Sequence, residues 1–425
     1  MEQLLIDGGH ALSGTVKISG AKNAALPMLA STLLAQGTFR LQNVPNLKDV
    51  STFIKLLEEL DFSFKKEDNG DLLVDSSGLS CHEAPYELVR KMRASVLVLG
   101  PLVARLGKAK VALPGGCAIG ARPIDFHLKG LELMGAKLKL QKGYVEAKAR
   151  RLSGARIFFD IPSVTATENL MMAACLAKGT TVIENAAKEP EVTDLGRMLK
   201  AMGAKIRGLG TETITIEGVK ELSPAQWKII PDRIETGTYL MAVGAAGGKL
   251  RIENTVPSHM EAVMQKLRDA GLTIDIREPD TIMVKRRKNL RSVDVRTQPY
   301  PGFPTDLQAQ MMVLMAIAGK LSVITEIIFE NRFMHVAELR RLGADIKIEG
   351  RSAIVRGVSS LTGAPVMATD LRASACLVLA ALAAKGTTTV GGLHHLDRGY
   401  EKMDIKLAAA GARIRRVALA TEEPE

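Results

Sequence analysis

LRRLGADIKI, residues 339–348, is a helix-like run closed by a glycine and followed by an alternating strand, and the same pattern returns along the whole chain. It recurs as LELMGAKLKL (131–140), LKAMGAKIRG (199–208), LRDAGLTIDI (267–276) and LAAAGARIRR (407–416). LEELDFSFKK (57–66) is a sixth copy, with Asp61 in the glycine's place. The leading residues Leu57, Leu131, Leu199, Leu267, Leu339 and Leu407 stand 74, 68, 68, 72 and 68 residues apart. A unit of about 70 residues is longer than a typical solenoid repeat, so the copies are expected to form small closed subdomains. Gly135, Gly203, Gly271, Gly343 and Gly411 fall where a helix would end in a left-handed cap.

A second pattern interleaves with the first: an Ala/Met/Leu-rich helix, a glycine, then a strand. Its six copies begin at Ala25, Ala94, Asn169, Tyr239, Leu307 and Ala373. NLMMAACLA and ASACLVLAALAA are apolar on nearly every face, which predicts burial on all sides. The strands alternate (KLKL, TIDI, DIKI), so one face meets a core and the other meets water. Helices inside and sheets outside are therefore expected, the reverse of a doubly wound α/β fold. The rhythm pauses at VKELSPAQWKIIPDR, residues 219–233, which reads as a proline-bearing linker. Two similar lobes of three repeats each are predicted, residues 22–231 and residues 1–21 plus 232–425, with a hinge and a cleft between them.

Composition narrows the function classes. The net charge of +11 invites a nucleic-acid reading, but aromatic residues are 4% of the chain and leave few platforms for base stacking. The densest basic run, KRRKNLR (285–291), is compact and adjoins a turn, and small anionic ligands fit the charge better than nucleic acid. Four cysteines without a CxxC pair give neither a disulfide framework nor a zinc site, and suit a reducing cytoplasm. The longest apolar run, Cys376 to Ala384, is too short to cross a bilayer, so no membrane partner is expected. There is no Walker loop and no GxGxxG, no cofactor or metal is expected, and His394 and His395 lack helical metal spacing and read as loop residues.

Polar residues stand before every buried helix: Lys22 and Asn23, Arg93, Thr165 to Glu168, Arg233, Asp306, and Arg372. Helix N-termini carry unpaired N–H groups and partial positive charge, so several of them with Lys22, Arg93 and Arg372 would form an anion site. Each alone is an ordinary charge near a helix end; recurrence in six copies favours function. Asp306 has two readings. TDLQ (305–308) fits a capping box, whereas YPGFPTD (300–306) could fix one carboxylate among cations as a general base. Cys175 and Cys376 read as core residues and Cys81 as a turn residue. Cys117, in LPGGCAIGARPIDFH (113–127), has glycines around it and Arg122 nearby, which suits an acid-capable thiol on a mobile lid.

PGGCAIGARPIDFHLKGLELMGA (114–136), GTVKISGAKNAALPMLA (14–30) and ENRFMHVAELRRLGA (330–344) closely resemble the UDP-N-acetylglucosamine enolpyruvyl transferases of the bacterial cell-wall pathway, over essentially the whole chain. The resemblance implies a two-lobed inside-out α/β barrel that takes UDP-N-acetylglucosamine and then phosphoenolpyruvate. It implies Cys117 as proton donor, as a residue that adds covalently to phosphoenolpyruvate, and as the target of fosfomycin-type epoxides. Asp306 matches the aspartate near the sugar hydroxyl. Lys22, Arg122 and Arg398 match groups on the phosphate, and Arg332 and Arg372 match groups toward the carboxylate. Asn23, Arg93, Arg122, Pro123, Ile124, Asp125, Phe126, His127, Ser163, Val164 and Ile328 match positions along the sugar nucleotide. Some members carry a lysine where this chain has Ile161, which leaves a diphosphate contact open there. Three competing classes stay open: an RNA 3'-phosphate cyclase-like protein using His394 or His395, a shikimate 3-phosphate enolpyruvyl transferase, in which the cysteine loop has no job, and a non-catalytic binder.

Overall fold

The computed structural model describes residues 2–90, 92–113, 124–286 and 289–418. They fall into two compact units, one of residues 2–19 and 231–418, the other of residues 20–113 and 124–230. Each unit has its own continuous apolar core.

Among the described residues, six four-stranded sheets share one topology. In each, an edge strand runs parallel to its neighbour and the next two pairings are antiparallel, as in Val295–Arg296, Leu321–Thr325, Ser352–Arg356 and Asp345–Glu349. The repeat is thus a strand, a buried helix, a strand, an amphipathic helix and a hairpin. Two sheets of the C-terminal unit are completed by the chain's first residues. Leu12–Lys17 lies parallel to Gly248–Glu253, and Glu2–Asp7 sits between Thr387–Gly391 and Arg413–Ala418. The segment 219–233 is not simply a linker, because Gln226–Lys228 pairs parallel to Thr38–Gln42 and closes the first sheet of the other unit.

The core of each unit is a set of mutually packed helices. In the C-terminal unit these are Arg233–Ala246, Gln308–Ala316 and Leu371–Ala383, buried along essentially their full length. Lys22–Ser31, Leu99–Leu106 and Val164–Cys175 are their counterparts in the other unit. The strands around them alternate between buried and outward residues, as in Thr213–Glu217 and Leu321–Thr325. Helices inside and sheets outside hold for each unit, because only a helix apolar on every face can be surrounded by other elements.

The cap prediction also holds. Gly135, Gly203, Gly271, Gly343 and Gly411 have φ between 89° and 108°, and Asp61 takes the same left-handed conformation at φ 67°. Aspartate tolerates that region better than most side chains, which is how the sixth repeat survives without its glycine.

Candidate active site

The C-terminal unit concentrates charge around one carboxylate. Asp306 lies in the 3₁₀ turn Thr305–Leu307 that leads into the Gln308–Ala316 helix. One carboxylate oxygen accepts from Arg332 Nη2 at 2.7 Å and the other from Arg372 Nη2 at 2.8 Å. Both arginines are buried, whereas the Asp306 side chain keeps 24% of its surface exposed, so an incoming group can reach it. Burial opposes ionisation of Asp306, but Arg372 and Arg332 more than offset it and hold the carboxyl well below its usual range.

The arginines are themselves held. Arg332 Nη1 donates to Thr305 Oγ1 at 2.9 Å, and that hydroxyl donates to Glu326 Oε2 at 2.7 Å. Glu326 Oε1 accepts from the Thr297 hydroxyl and from the backbone N–H groups of Ile328 and Phe329. Arg372 is the second residue of its helix, whose N-terminus is capped by Asp370 accepting from the Arg372 and Ala373 N–H groups. Its guanidinium carbon stands 5.5 Å from the Tyr400 ring centroid. The capping-box reading of TDLQ is corrected here: no side chain caps the 3₁₀ turn, since Thr305 is committed to Arg332 and Glu326.

Arg398 is half-buried in the turn after the one-turn helix Leu393–Leu396. His394 and His395 belong to that helix rather than to a loop, with ring centroids 4.0 Å apart. Arg233 opens the Arg233–Ala246 helix and lies over the Tyr300 ring, where a cavity of about 240 Å³ is also lined by Ser258, His259 and Pro304.

In the other unit, Lys22 is the first residue of its helix and its Nζ meets Asp49 Oδ2 at 3.2 Å, with Asn23 half-buried beside it. Arg93 opens the 3₁₀ run Arg93–Val98 that continues into Leu99–Leu106. Ile124 immediately precedes the Asp125–Leu133 helix, whose first residues are Asp125, Phe126 and His127, and Phe126 packs edge-on against Phe159 with ring centroids 5.5 Å apart. Ser163 and Val164 begin the Val164–Cys175 helix, and Ile161 before them is exposed.

His127 is buried in a network whose proton positions follow from its partners. Asn169 Oδ1 accepts from the Gly100 N–H at 2.8 Å, so its Nδ2 donates to His127 Nδ1 at 2.9 Å. The ring proton then belongs on Nε2, 3.2 Å from Thr165 Oγ1, and burial pushes the imidazole down to about 3. Glu168, one turn further along, is buried with Oε1 lacking a hydrogen-bond partner among the described residues. Burial, then the nearby Glu191 and Glu189, raise its carboxyl well above the usual range.

Cys117, Arg122 and Pro123 lie outside the described residues. Cys175 and Cys376 are buried, with burial pushing the Cys175 thiol up to about 12, while Cys81 is half-buried. Sequence reasoning missed Asp49, Asn169, Thr305 and Glu326 as partners of the predicted residues; only their polar character was visible. Among the described residues no helix is long and apolar enough to cross a membrane.

A family model for EPSP synthase (3-phosphoshikimate 1-carboxyvinyltransferase) matches residues 6–407. The chain belongs to the EPSP synthase family. It is 56% identical over 418 residues to the UDP-N-acetylglucosamine 1-carboxyvinyltransferase of Geotalea uraniireducens (strain Rf4), covering 98% of this chain and 100% of that one. The enzyme of the same name from Desulfosudis oleivorans is 58% identical with the same coverage. Among solved structures, the enolpyruvyl transferase NikO from Streptomyces tendae superposes with a TM-score of 0.87 at 28% identity, over 98% of each chain. EPSP synthase from Acinetobacter baumannii gives a TM-score of 0.76 at 19% identity, over 98% of this chain and 100% of that one, a likeness of fold. Within the family the chain groups by sequence with the UDP-N-acetylglucosamine 1-carboxyvinyltransferases.

Proposed function

We propose that the chain is a bacterial cytoplasmic enzyme that transfers the enolpyruvyl group of phosphoenolpyruvate to the 3-hydroxyl of UDP-N-acetylglucosamine and releases phosphate, the first dedicated step of peptidoglycan precursor synthesis. The observation that carries this reading is the Asp306 carboxylate between two buried guanidiniums in a chain whose 56–58% identical relatives bear that enzyme's name. The shikimate alternative is weaker, since identity to an EPSP synthase falls to 19%.

The chemistry follows from the residue types. Arg332 and Arg372 receive the carboxylate of the donor, and Lys22, Arg122 and Arg398 its phosphate; charge-assisted hydrogen bonds of this kind bind a polyanion and also ease departure of phosphate. In the addition step the sugar oxygen forms a bond to C2, its proton passes to Asp306, and Cys117 protonates C3. In the elimination step C3 loses a proton, the C2–O bond to phosphate breaks, and the double bond re-forms in the product ether. Asn23, Arg93, Ile124, Asp125, Phe126, His127, Ser163, Val164, Ile328 and the Arg122–Pro123 pair serve the sugar nucleotide, the guanidinium plane suiting a flat base. At Ile161 no charge can meet the diphosphate.

The test is phosphate release measured with each substrate alone and with both. Release that requires both substrates is expected, and Asp306→Asn should lower kcat by at least about a hundredfold with the fold retained. Release from phosphoenolpyruvate alone, or an unimpaired Asn variant, would refute the assignment.

A further inference from the structure

Asp306 gives one oxygen to each of two guanidiniums, the arrangement that a substrate carboxylate would itself require. We propose that Asp306 is a built-in counter-ion that the carboxylate of phosphoenolpyruvate displaces from Arg332 and Arg372, so that Asp306 becomes available as a base only once the donor is seated. The inference rests on the enolpyruvyl-transfer reading above.

Four observations support the exchange. Arg332 and Arg372 are 6% and 4% exposed and cannot turn to water, so they need an anion at all times; leaving such a charge unpaired is strongly destabilising. Their positions do not depend on Asp306 alone, because Arg332 is braced by Thr305 and Glu326 and Arg372 lies against Tyr400. The donor set is not exhausted either: Arg372 Nη1 is buried with no hydrogen-bond partner among the described residues, and both Asp306 oxygens are already engaged. Finally, Asp306 is the least buried member of the trio and sits in a single 3₁₀ turn ahead of its α-helix, so its side chain can swing away while the guanidiniums stay.

The exchange has a chemical consequence. A carboxylate shared between two guanidiniums is a poor proton acceptor, and burial does not compensate for them. Once a substrate carboxylate neutralises the arginines, that depression is lifted from Asp306 and its basicity rises. A proton would then leave the sugar hydroxyl only when an acceptor carbon is present to receive the oxygen, which suppresses unproductive deprotonation.

The experiment uses the full chain saturated with UDP-N-acetylglucosamine and titrated calorimetrically with two inert probes. One is 2-phospholactate, the saturated analogue that keeps both carboxylate and phosphate; the other is isopropyl phosphate, which lacks the carboxylate. Removing the competitor in Asp306→Asn should tighten 2-phospholactate by about tenfold or more, while isopropyl phosphate gains less than about threefold. Equal gains for both probes would mean a general charge effect and would overturn the exchange, as would unchanged or weaker 2-phospholactate binding. Circular dichroism checks the fold, and Asp306→Ala, which removes the same competitor, replaces the Asn variant if that one does not fold. Wild-type phosphate release separates the two levels: if it occurs normally and the variants bind no tighter, only the exchange fails; if it does not occur, the enolpyruvyl-transfer reading fails first.

Discussion

Replacing Arg416 with methionine should destabilise the C-terminal unit and loosen the segment that carries Arg398. Arg416, in the strand Arg413–Ala418, makes a two-pronged pair with Asp397 at 2.8 and 3.2 Å and reaches Asp404 at 3.2 Å and Glu2 at 3.1 Å. Asp397 directly precedes Arg398, so this guanidinium braces the backbone from which Arg398 projects. Asp397 and Asp404 side chains are 21% and 12% exposed, whereas Glu2 is 57% exposed and is expected to add nothing measurable. A partly buried charged pair with two parallel bonds is worth about 1.5–2 kcal/mol after screening, and the Asp404 contact about 0.5 kcal/mol. Methionine keeps the apolar stem, so the loss should be about 2 kcal/mol, or roughly 4–8 °C in Tm for a unit of this size. Urea unfolding of wild type, Arg416→Met, Asp397→Asn and the double variant gives the coupling between the two side chains, expected at about 1 kcal/mol or more. KM for phosphoenolpyruvate should rise several-fold, with a smaller change in kcat. Strict additivity of the two substitutions, or a loss below about 0.5 kcal/mol for Arg416→Met, would refute the reasoning.

Two further outcomes follow from the other unit. His127, held down to about 3 from an ordinary 6.5 by burial, binds fewer protons folded than unfolded, so its contribution to stability is present above about pH 6.5 and is lost progressively as pH falls toward 3. Nitrogen-15 NMR at pH 5 should show a neutral ring protonated on Nε2; an imidazolium signal at that pH would contradict the network. Gly130→Ala should cost about 1–3 kcal/mol, because a Cβ there would lie 2.2 Å from Leu170 Cδ1 and 2.7 Å from Cδ2 in a filled core, and an unchanged melting temperature would count against that packing.

What could be read from the sequence was what local chemistry decides. The helix-ending glycines are required by a positive φ, and the all-apolar helices by burial on every face; neither depends on a distant partner. Pairings between remote segments were not legible. Residues 1–21 are assigned to the lobe of residues 232–425, but nothing in LSGTVK indicates that Leu12–Lys17 pairs with Gly248–Glu253, and QWK is too short to be told from the linker around it. The capping-box pattern at Thr305 failed for the same reason: Glu326 and Arg332, 21 and 27 residues away, take the hydroxyl that a local reading gives to the helix end. At the candidate site the residue types were visible, with Asp306, Arg332 and Arg372 all named. Their mutual ion pairs, across 26 and 66 residues, were not, and those pairs are what set the carboxylate's basicity.

The most direct test of enolpyruvyl transfer by addition and elimination is the fate of hydrogen at C3, measured by proton NMR of the product formed in D2O from UDP-N-acetylglucosamine and phosphoenolpyruvate. The account predicts a vinyl ether on the sugar 3-oxygen whose methylene carries deuterium, because C3 is protonated from exchangeable groups before it loses a hydrogen. A product methylene free of deuterium, or pyruvate with no vinyl ether at all, would contradict it.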